Sequence, residues 1–258
     1  AAQQGNFSKD PVKRDLQMES VAHIRVQAWI REQSPGQDEI FSPEFILSIH
    51  RGFYAHVPET LRVLKNEKGE VIDQVIPGEW RSKEVVVGRH HPPHANDLPA
   101  LMRQFCDIYH PGHHKGDKKT IATLCAHHRF AWIHPFADGN GRVARLLTDT
   151  TLNAIGLDSS GVWCLSRGLA RASDHYKALL GQADLPRRGD HDGRGLLSEK
   201  GLVAFCDFML DVSLDQIDYI SQLLQVDQMR DRIQRYIAAR NDARVPGSGE
   251  IKPVAAMV

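Results

Sequence analysis

The sequence predicts an all-α domain that carries one small β-hairpin, and three observations carry that expectation. Apolar residues recur at helical spacing through most of the 258 residues. One stretch alone, VIPGEWRSKEVVVGRHHPPH, has strand character. No internal repeat or low-complexity segment interrupts the pattern.

From Asp15 to Glu32 the residues Leu16, Met18, Val21, Ile24, Val26, Trp29 and Ile30 describe an amphipathic helix, which Pro35-Gly36 breaks. Ser42-Pro43-Glu44 reads as an N-cap with proline at the first helical position, opening a helix through Phe45, Ile46, Ile49 and Phe53. The strand-like stretch follows, with a Pro77-Gly78 turn signal, the β-branched run Val85-Val86-Val87 and Gly88 before Pro92-Pro93. It is too short for a sheet, so a hairpin on a helical body is expected. Helix resumes from Asp97 to Tyr109 with Leu98, Leu101, Met102 and Phe105 on one face. A polar loop, HPGHHKGDKK, leads to a helix from Thr120 to Ile133, then HPFADGNGR, then a helix from Arg142 to Ile155 closed by Gly156. Three more helices are expected at Gly168–Leu180, Leu202–Leu214 and Ile217–Ala239, with LPRRGDHDGRG as a loop between the first two. The tail, VPGSGEIKPVAAMV, reads as the start of a further segment.

Composition narrows the class. Hydrophobic residues at 41% and charged residues at 25% are ordinary for a soluble globular protein. Lys plus Arg (32) equals Asp plus Glu (32), so no overall field draws the chain to nucleic acid or an anionic membrane, and any phosphate binding must be local. Cys106, Cys125, Cys164 and Cys206 lie far apart, without a CxxC pair. That argues against a disulfide framework or zinc ribbon and fits the reducing cytoplasm. No apolar run approaches the ~20 residues needed to span a bilayer, and AAQQGNFSKDPVKRD lacks a secretory pattern. The sequence starts without Met, so a longer natural chain is expected.

The chemistry concentrates in His134 to Arg145, HPFADGNGRVAR. Gly139 and Gly141 free the turn to present backbone N–H groups beside a helix N-terminus, which is an anion nest. Arg142 and Arg145, one turn apart, can grip the same anion, and guanidinium binds phosphate bidentately. Asp138 would repel such a ligand unless a cation such as Mg²⁺ bridged the two. His134 can be neutral at pH 7 and accept a proton from a hydroxyl. Nest, arginines, carboxylate and base together make a phosphoryl-transfer site. GxxxxGK[ST] is absent, so it is not a P-loop. Phe136 reads as a core anchor for the loop.

HPFADGNGR matches the Fic signature HPFx(D/E)GN(G/K)R throughout, and Arg145 extends it to the longer form that ends in a second arginine. PGEWRSKEVVVG resembles the family's flap hairpin, and PPHANDLPALM resembles the continuation PPxxxxxPxLM. HHRFAWIHPF is similar to the helix before the motif, and LSRGLARASDHYKALL to the later helix on the nucleotide side. The resemblance covers roughly residues 40 to 215. It implies a Fic-type helical bundle with a β-hairpin flap over the active site. Residues 1–39 would then be an N-terminal helix, 40–215 the Fic domain, and 216–258 a C-terminal helix leading toward a truncated winged-helix-like region.

The resemblance also implies roles. His134 would deprotonate a Ser, Thr or Tyr hydroxyl of a target protein. Asp138 would hold Mg²⁺ (or Mn²⁺) on the α- and β-phosphates of ATP. Asn140 would orient the α-phosphate, Gly139 and Gly141 would line the anion hole, Arg142 would grip the β- and γ-phosphates, and Arg145 the γ end. Tyr176 falls at an aromatic position near the nucleotide pocket, where contact with adenine and a place in the core remain alternatives. Ser166 is open in the same way between a helix cap and a ligand contact. Gly141 stands where the phosphorylating Doc relatives carry Lys, which favours AMP transfer. Val85, Val86 and Val87 would offer a strand edge to an extended target segment.

The histidines at 90, 91, 94, 110, 113, 114, 127 and 128 match neither HExxH nor a Cys/His set, so structural or solvent-exposed roles are expected. Many Fic proteins carry an inhibitory helix marked (S/T)xxxE(G/N), whose glutamate blocks the second arginine. No Ser or Thr here has Glu four residues on. The expectation is therefore a segment lost before Ala1 and a site open to ATP. The leading function is AMP transfer to a protein hydroxyl with release of pyrophosphate. The alternatives are a hydrolase that removes AMP from a modified protein, and a nucleotide-sensing module joined to a DNA-binding winged helix. The expected partners are a target protein with an exposed hydroxyl, the chain itself included, and a second copy in a homodimer. Neither a membrane nor, for this chain, nucleic acid is expected.

Overall fold

The computed structural model describes residues 6–65, 68–157 and 163–242. It is a helical body with one two-stranded hairpin. The helices are α1 (Pro11–Gln33), α2 (Gln37–Ile40), α3 (Pro43–Ala55), α4 (Leu98–Tyr109), α5 (Lys118–Ile133), α6 (Asn140–Ala154), α7 (Leu165–Arg171), α8 (Ser173–Ala183), α9 (Glu199–Leu223) and α10 (Val226–Asn241). Strands β1 (Val63–Lys65) and β2 (Val71–Gln74) pair antiparallel, with Val63 opposite Gln74.

Local chemistry sets the helix starts. α1 begins at Pro11, four residues before the apolar stripe suggests, because the Asp10 side chain accepts from the N–H groups of Val12 and Lys13. Ser42 caps α3 by accepting from the Phe45 N–H, with Pro43 at the first position, as its sequence predicts.

The hairpin is not where the valine run placed it. Residues 85–87 form a single bridge, Val87 with His90, closed through Gly88 at φ 61°. The regular hairpin lies upstream, in the β-branched runs RVLK and VIDQV on either side of NEKGE, with Gly69 at φ 79°. Two other boundaries move. The helix expected over 168–180 is two helices meeting at Ala172, so that α7 can press against α9; a Cβ on Gly168 would lie 2.5 Å from Val212 Cγ1. α9 runs on to Leu223 rather than stopping at Leu214, because Gln216 is buried and accepts from Arg167 Nη1 at 2.9 Å. A polar residue satisfied in this way does not end a helix. The tail at 245–258 lies outside the described residues.

Two apolar clusters build the body. One gathers Phe53, Phe105, Phe130 and Phe136 from α3, α4, α5 and the loop after α5. The other gathers Leu165, Phe205 and Met209 from α7 and α9. α5 gives Phe130 to the first and Leu124 to the second, so the loop that it delivers is braced from both sides. Among the described residues no helix is long and apolar enough to cross a membrane.

Candidate active site

α5 ends at His134, which takes the left-handed conformation (φ 50°) and turns the chain into the loop 135–139. This conformation is uncommon for a residue with a Cβ. Its effect is to set the imidazole beside the last turn, where Nδ1 lies 3.2 Å from the Ala131 carbonyl oxygen. Only a protonated Nδ1 can bond a carbonyl, so Nε2 keeps its lone pair. Burial is the main reason that the imidazole titrates far below its ordinary range, at about 4. At neutral pH His134 is therefore an unprotonated base.

The loop is clamped from within. Asn140 Oδ1 accepts the Phe136 N–H at 2.9 Å and its Nδ2 donates to the Phe136 carbonyl at 2.7 Å. Phe136 is wholly buried, stacked on His50 with ring centroids 3.9 Å apart. Gly139, at φ 83°, caps α6, and a Cβ there would lie 3.0 Å from the Tyr54 ring. Asn140 and Gly141 keep N–H groups that no main-chain carbonyl takes, as the first turn of any helix does. These amides are the nest. The role expected of the Asn140 side chain shifts in consequence: its amide holds the loop's shape.

Two residues of α3 that the motif does not contain complete the support. His50 Nδ1 accepts the Gly78 N–H at 2.9 Å, so its Nε2 is protonated and donates to the Asp138 carbonyl at 3.2 Å. One neutral imidazole thus joins the segment before the flap to the loop 135–139. Tyr54 donates its hydroxyl to Asp138 Oδ2 at 2.6 Å. Burial opposes charge on Asp138, but Tyr54, Arg142 and the Gly139 N–H outweigh it, and the carboxyl titrates below its usual range.

The flap is stapled by Arg81, which is 5% exposed. Its Nε donates to the His134 carbonyl at 2.9 Å, Nη1 to the Lys83 carbonyl at 3.0 Å and Nη2 to the Pro93 carbonyl, while its main-chain N–H donates to the Pro135 carbonyl at 2.9 Å. Both ends of the flap are so fastened to the backbone at His134 and Pro135. Beyond the staple Val85 is half-buried, lining a cavity of about 370 Å³ with Ile72, Trp80 and Ala137, whereas Val86 and Val87 are exposed.

The two arginines differ. Arg142 Nη1 lies 3.3 Å from Asp138 Oδ2 and its Nη2 2.7 Å from Glu19 Oε2 on α1. The expectation of an unblocked arginine pair fails at this point. Glu19 escaped the pattern because Asp15 stands at the Ser/Thr position and Ser20 at the Gly/Asn position. It also pairs with the first arginine rather than the second. Burial holds the Arg145 guanidinium below the usual range, against the opposing pull of Tyr176 and Asp149. A cavity of about 440 Å³ opens between α1, α6, α7 and α8, lined by Glu19, His23, Arg142, Arg145, Ser166 and Tyr176 among others.

Tyr176 meets this cavity with its ring, because its hydroxyl is spent. Thr148 Oγ1 donates to the Ala144 carbonyl and so accepts from His127 Nδ1 at 2.8 Å, which leaves His127 Nε2 to accept the Tyr176 hydroxyl at 2.8 Å. His128 bonds Asp184 at 2.9 Å, and His90 Nε2 lies 2.7 Å from the Trp132 carbonyl oxygen. These histidines hold helices and loops in place.

Asp138 thus links the two ends of the motif, paired with Arg142 at 3.3 Å and near enough to His134 to act on its charge. Residues 40–152 match the Fic/DOC family. The chain is 35% identical over 111 residues to the protein adenylyltransferase Fic of Drosophila willistoni, covering 43% of this chain and 19% of that one. The Drosophila melanogaster protein of the same description is also 35% identical over 111 residues, 20% of its length. The matched region is therefore about a fifth of these relatives. A Fic family protein from Desulfovibrio desulfuricans superposes with a TM-score of 0.60 at 22% identity, over 98% of this chain and 65% of that one. Residues 134–508 of Fic-1 from C. elegans superpose with a TM-score of 0.54 at 16% identity, over 88% and 56%. At these identities the superpositions speak for the Fic fold alone.

The site's donors suit one kind of metal. Among the described residues no group of three or more His, Cys, Asp or Glu could hold an ion by itself. Asp138 is a single ionised carboxylate, which fits a hard cation that takes its remaining ligands from phosphate oxygens and water, as Mg²⁺ does.

Proposed function

We propose that this Fic domain transfers the AMP part of ATP to a hydroxyl side chain of a protein. The observation that carries the reading is the His134 imidazole, with Nδ1–H tied to the Ala131 carbonyl and Nε2 bare, beside a loop that offers free amides and a guanidinium. The hydroxyl oxygen attacks the α-phosphorus, its proton passes to Nε2, and the bond to the pyrophosphate oxygen breaks. Developing charge on the α-phosphate meets the Asn140 and Gly141 amides, and Arg142 receives the β- and γ-phosphates once Glu19 yields. Asp138 would hold Mg²⁺, which when bound neutralises phosphate charge. The exposed stretch at Val86 supports capture of an extended target segment by main-chain pairing, with Val85 half-buried before it and Val87 held in place by its bridge to His90.

ATP labelled on the α-phosphate separates this reaction from phosphorylation. Label retained on protein from the α position, and none from the γ position, is the expected result; the reverse pattern overturns it.

Glu19 also favours a second reading, removal of AMP from a modified protein, since that direction needs a carboxylate near the site to place water. Release of AMP from an AMP-modified protein, lost in Glu19→Gln, would establish the hydrolase instead.

A further inference from the structure

Cys125 on α5 and Cys206 on α9 are 81 residues apart in the chain, yet their sulfurs lie 3.6 Å from each other. Both are free thiols, Cys125 half-buried and Cys206 8% exposed. Their surroundings make them unequal. Cys125 accepts the Cys206 S–H, and the Arg194 and Arg129 guanidinium groups add to that pull, so it titrates below its ordinary range although burial opposes this. The same bond, with burial, pushes Cys206 up. One sulfur therefore favours the thiolate and reaches solvent, while the other keeps its proton and touches the first. The other two cysteines differ. Burial raises Cys106 to about 12 and also raises Cys164, whose thiol donates to Asp149 at 3.6 Å.

A reactive thiolate beside a second thiol is the arrangement that turns oxidation into a disulfide instead of a dead-end acid. We propose that Cys125 and Cys206 are a reversible oxidation site, at which a hydroperoxide joins the two sulfurs in one disulfide. The Cys125 thiolate attacks a peroxide oxygen, the O–O bond breaks, and the departing oxygen takes a proton and leaves as water or an alcohol. The Cys206 sulfur then attacks the Cys125 sulfenic sulfur. The S–O bond breaks, the hydroxyl leaves as water with the Cys206 proton, and the S–S bond forms. The thiol pair loses two electrons and the peroxide gains them. Closing the sulfurs to the about 2 Å of a disulfide draws α5 toward α9. α5 is the helix that ends at His134, so oxidation fastens the element that delivers the motif. This chemistry is independent of any nucleotide.

Hydrogen peroxide is added to the reduced whole chain, the remaining thiols are alkylated in denaturant, and intact mass and peptide mapping read the result. Near-ultraviolet circular dichroism certifies the fold of each sample beforehand. The parent should lose two of its four alkylatable thiols together with two hydrogens of mass. The peptides of Cys125 and Cys206 should emerge joined, and dithiothreitol should restore both thiols. In Cys206→Ser the oxidised Cys125 lacks its partner and should halt as a sulfenic acid that dimedone traps. In Cys125→Ser, Cys206 should stay reduced. A disulfide through Cys106 or Cys164, a bond between two chains, or retention of all four thiols by the folded parent overturns the proposal. So does a bond that forms as fast in the denatured chain as in the folded one, since the native contact would then contribute nothing.

Discussion

At the scale of single residues, the shape of the loop depends on a few polar groups whose partners are defined. Tyr54 is the clearest case: its hydroxyl holds Asp138 ionised at 2.6 Å. Tyr54→Phe removes a hydrogen bond to a charged group, worth about 1.5–3 kcal/mol. The Mg²⁺ concentration that gives half-maximal labelling should rise at least several-fold with little loss of melting temperature. A large loss of stability with an unchanged Mg²⁺ requirement would make Tyr54 a packing residue only. Gly139→Ala is expected to act through the backbone. A left-handed residue with a Cβ costs roughly 1–2 kcal/mol, and here the methyl also meets the Tyr54 ring. Denaturant melts should show that loss together with a collapse of activity. Much of this layer was legible beforehand, because HPFADGNGRVAR names the base, the carboxylate and both arginines within twelve residues. His50 and Tyr54 were not. They are four apart on α3, each next to a residue of its apolar stripe, and nothing local in sequence says that they will meet a loop about 85 positions away.

At the scale of elements, α1 was read correctly as an amphipathic helix and its function was missed. The periodicity shows that Val21, Val26 and Ile30 face inward. It does not show what lies opposite Glu19, which is a tertiary fact. The contact has a direct consequence. Glu19→Gln should raise the initial rate of AMP labelling by about tenfold, since phosphate no longer competes with a carboxylate held at 2.7 Å. Initial-rate measurements at subsaturating ATP would show this, and an unchanged or lower rate would mean that the pair does not restrain the enzyme. The hairpin carries the other lesson of this scale. A run of three valines is strand-like by composition, but Arg81 fastens its neighbourhood to loop carbonyls and leaves one bridge. Pairing went instead to runs that had a turn between them.

At the scale of the whole molecule, the interior stores several uncharged histidines. His23, His50 and His134 each titrate at about 4 and His127 at about 3, burial being the largest cause for all four. In the unfolded chain these imidazoles take up protons near pH 6.5, whereas the folded chain resists until about pH 4. Between those limits the unfolded state binds more protons, so stability present above pH 6.5 drains away as the pH falls. Melting temperatures recorded from pH 7.5 to 4.5 should fall steeply below pH 6.5, and His50→Gln should flatten part of that slope. A level profile down to pH 5 would contradict the buried neutral state of these rings. The bundle as a class was readable from period alone; its division into two clusters around α5 was not, because Phe130 and Leu124 look alike in sequence and part company only in space.

The central claim is that a bare imidazole nitrogen at position 134 carries the proton of the attacking hydroxyl. Intact-protein mass spectrometry of candidate targets, treated with MgATP and either the parent chain or His134→Ala at matched folded concentration, tests it most directly. The parent should add one AMP per modified hydroxyl and the variant none. Equal addition by both would contradict the claim.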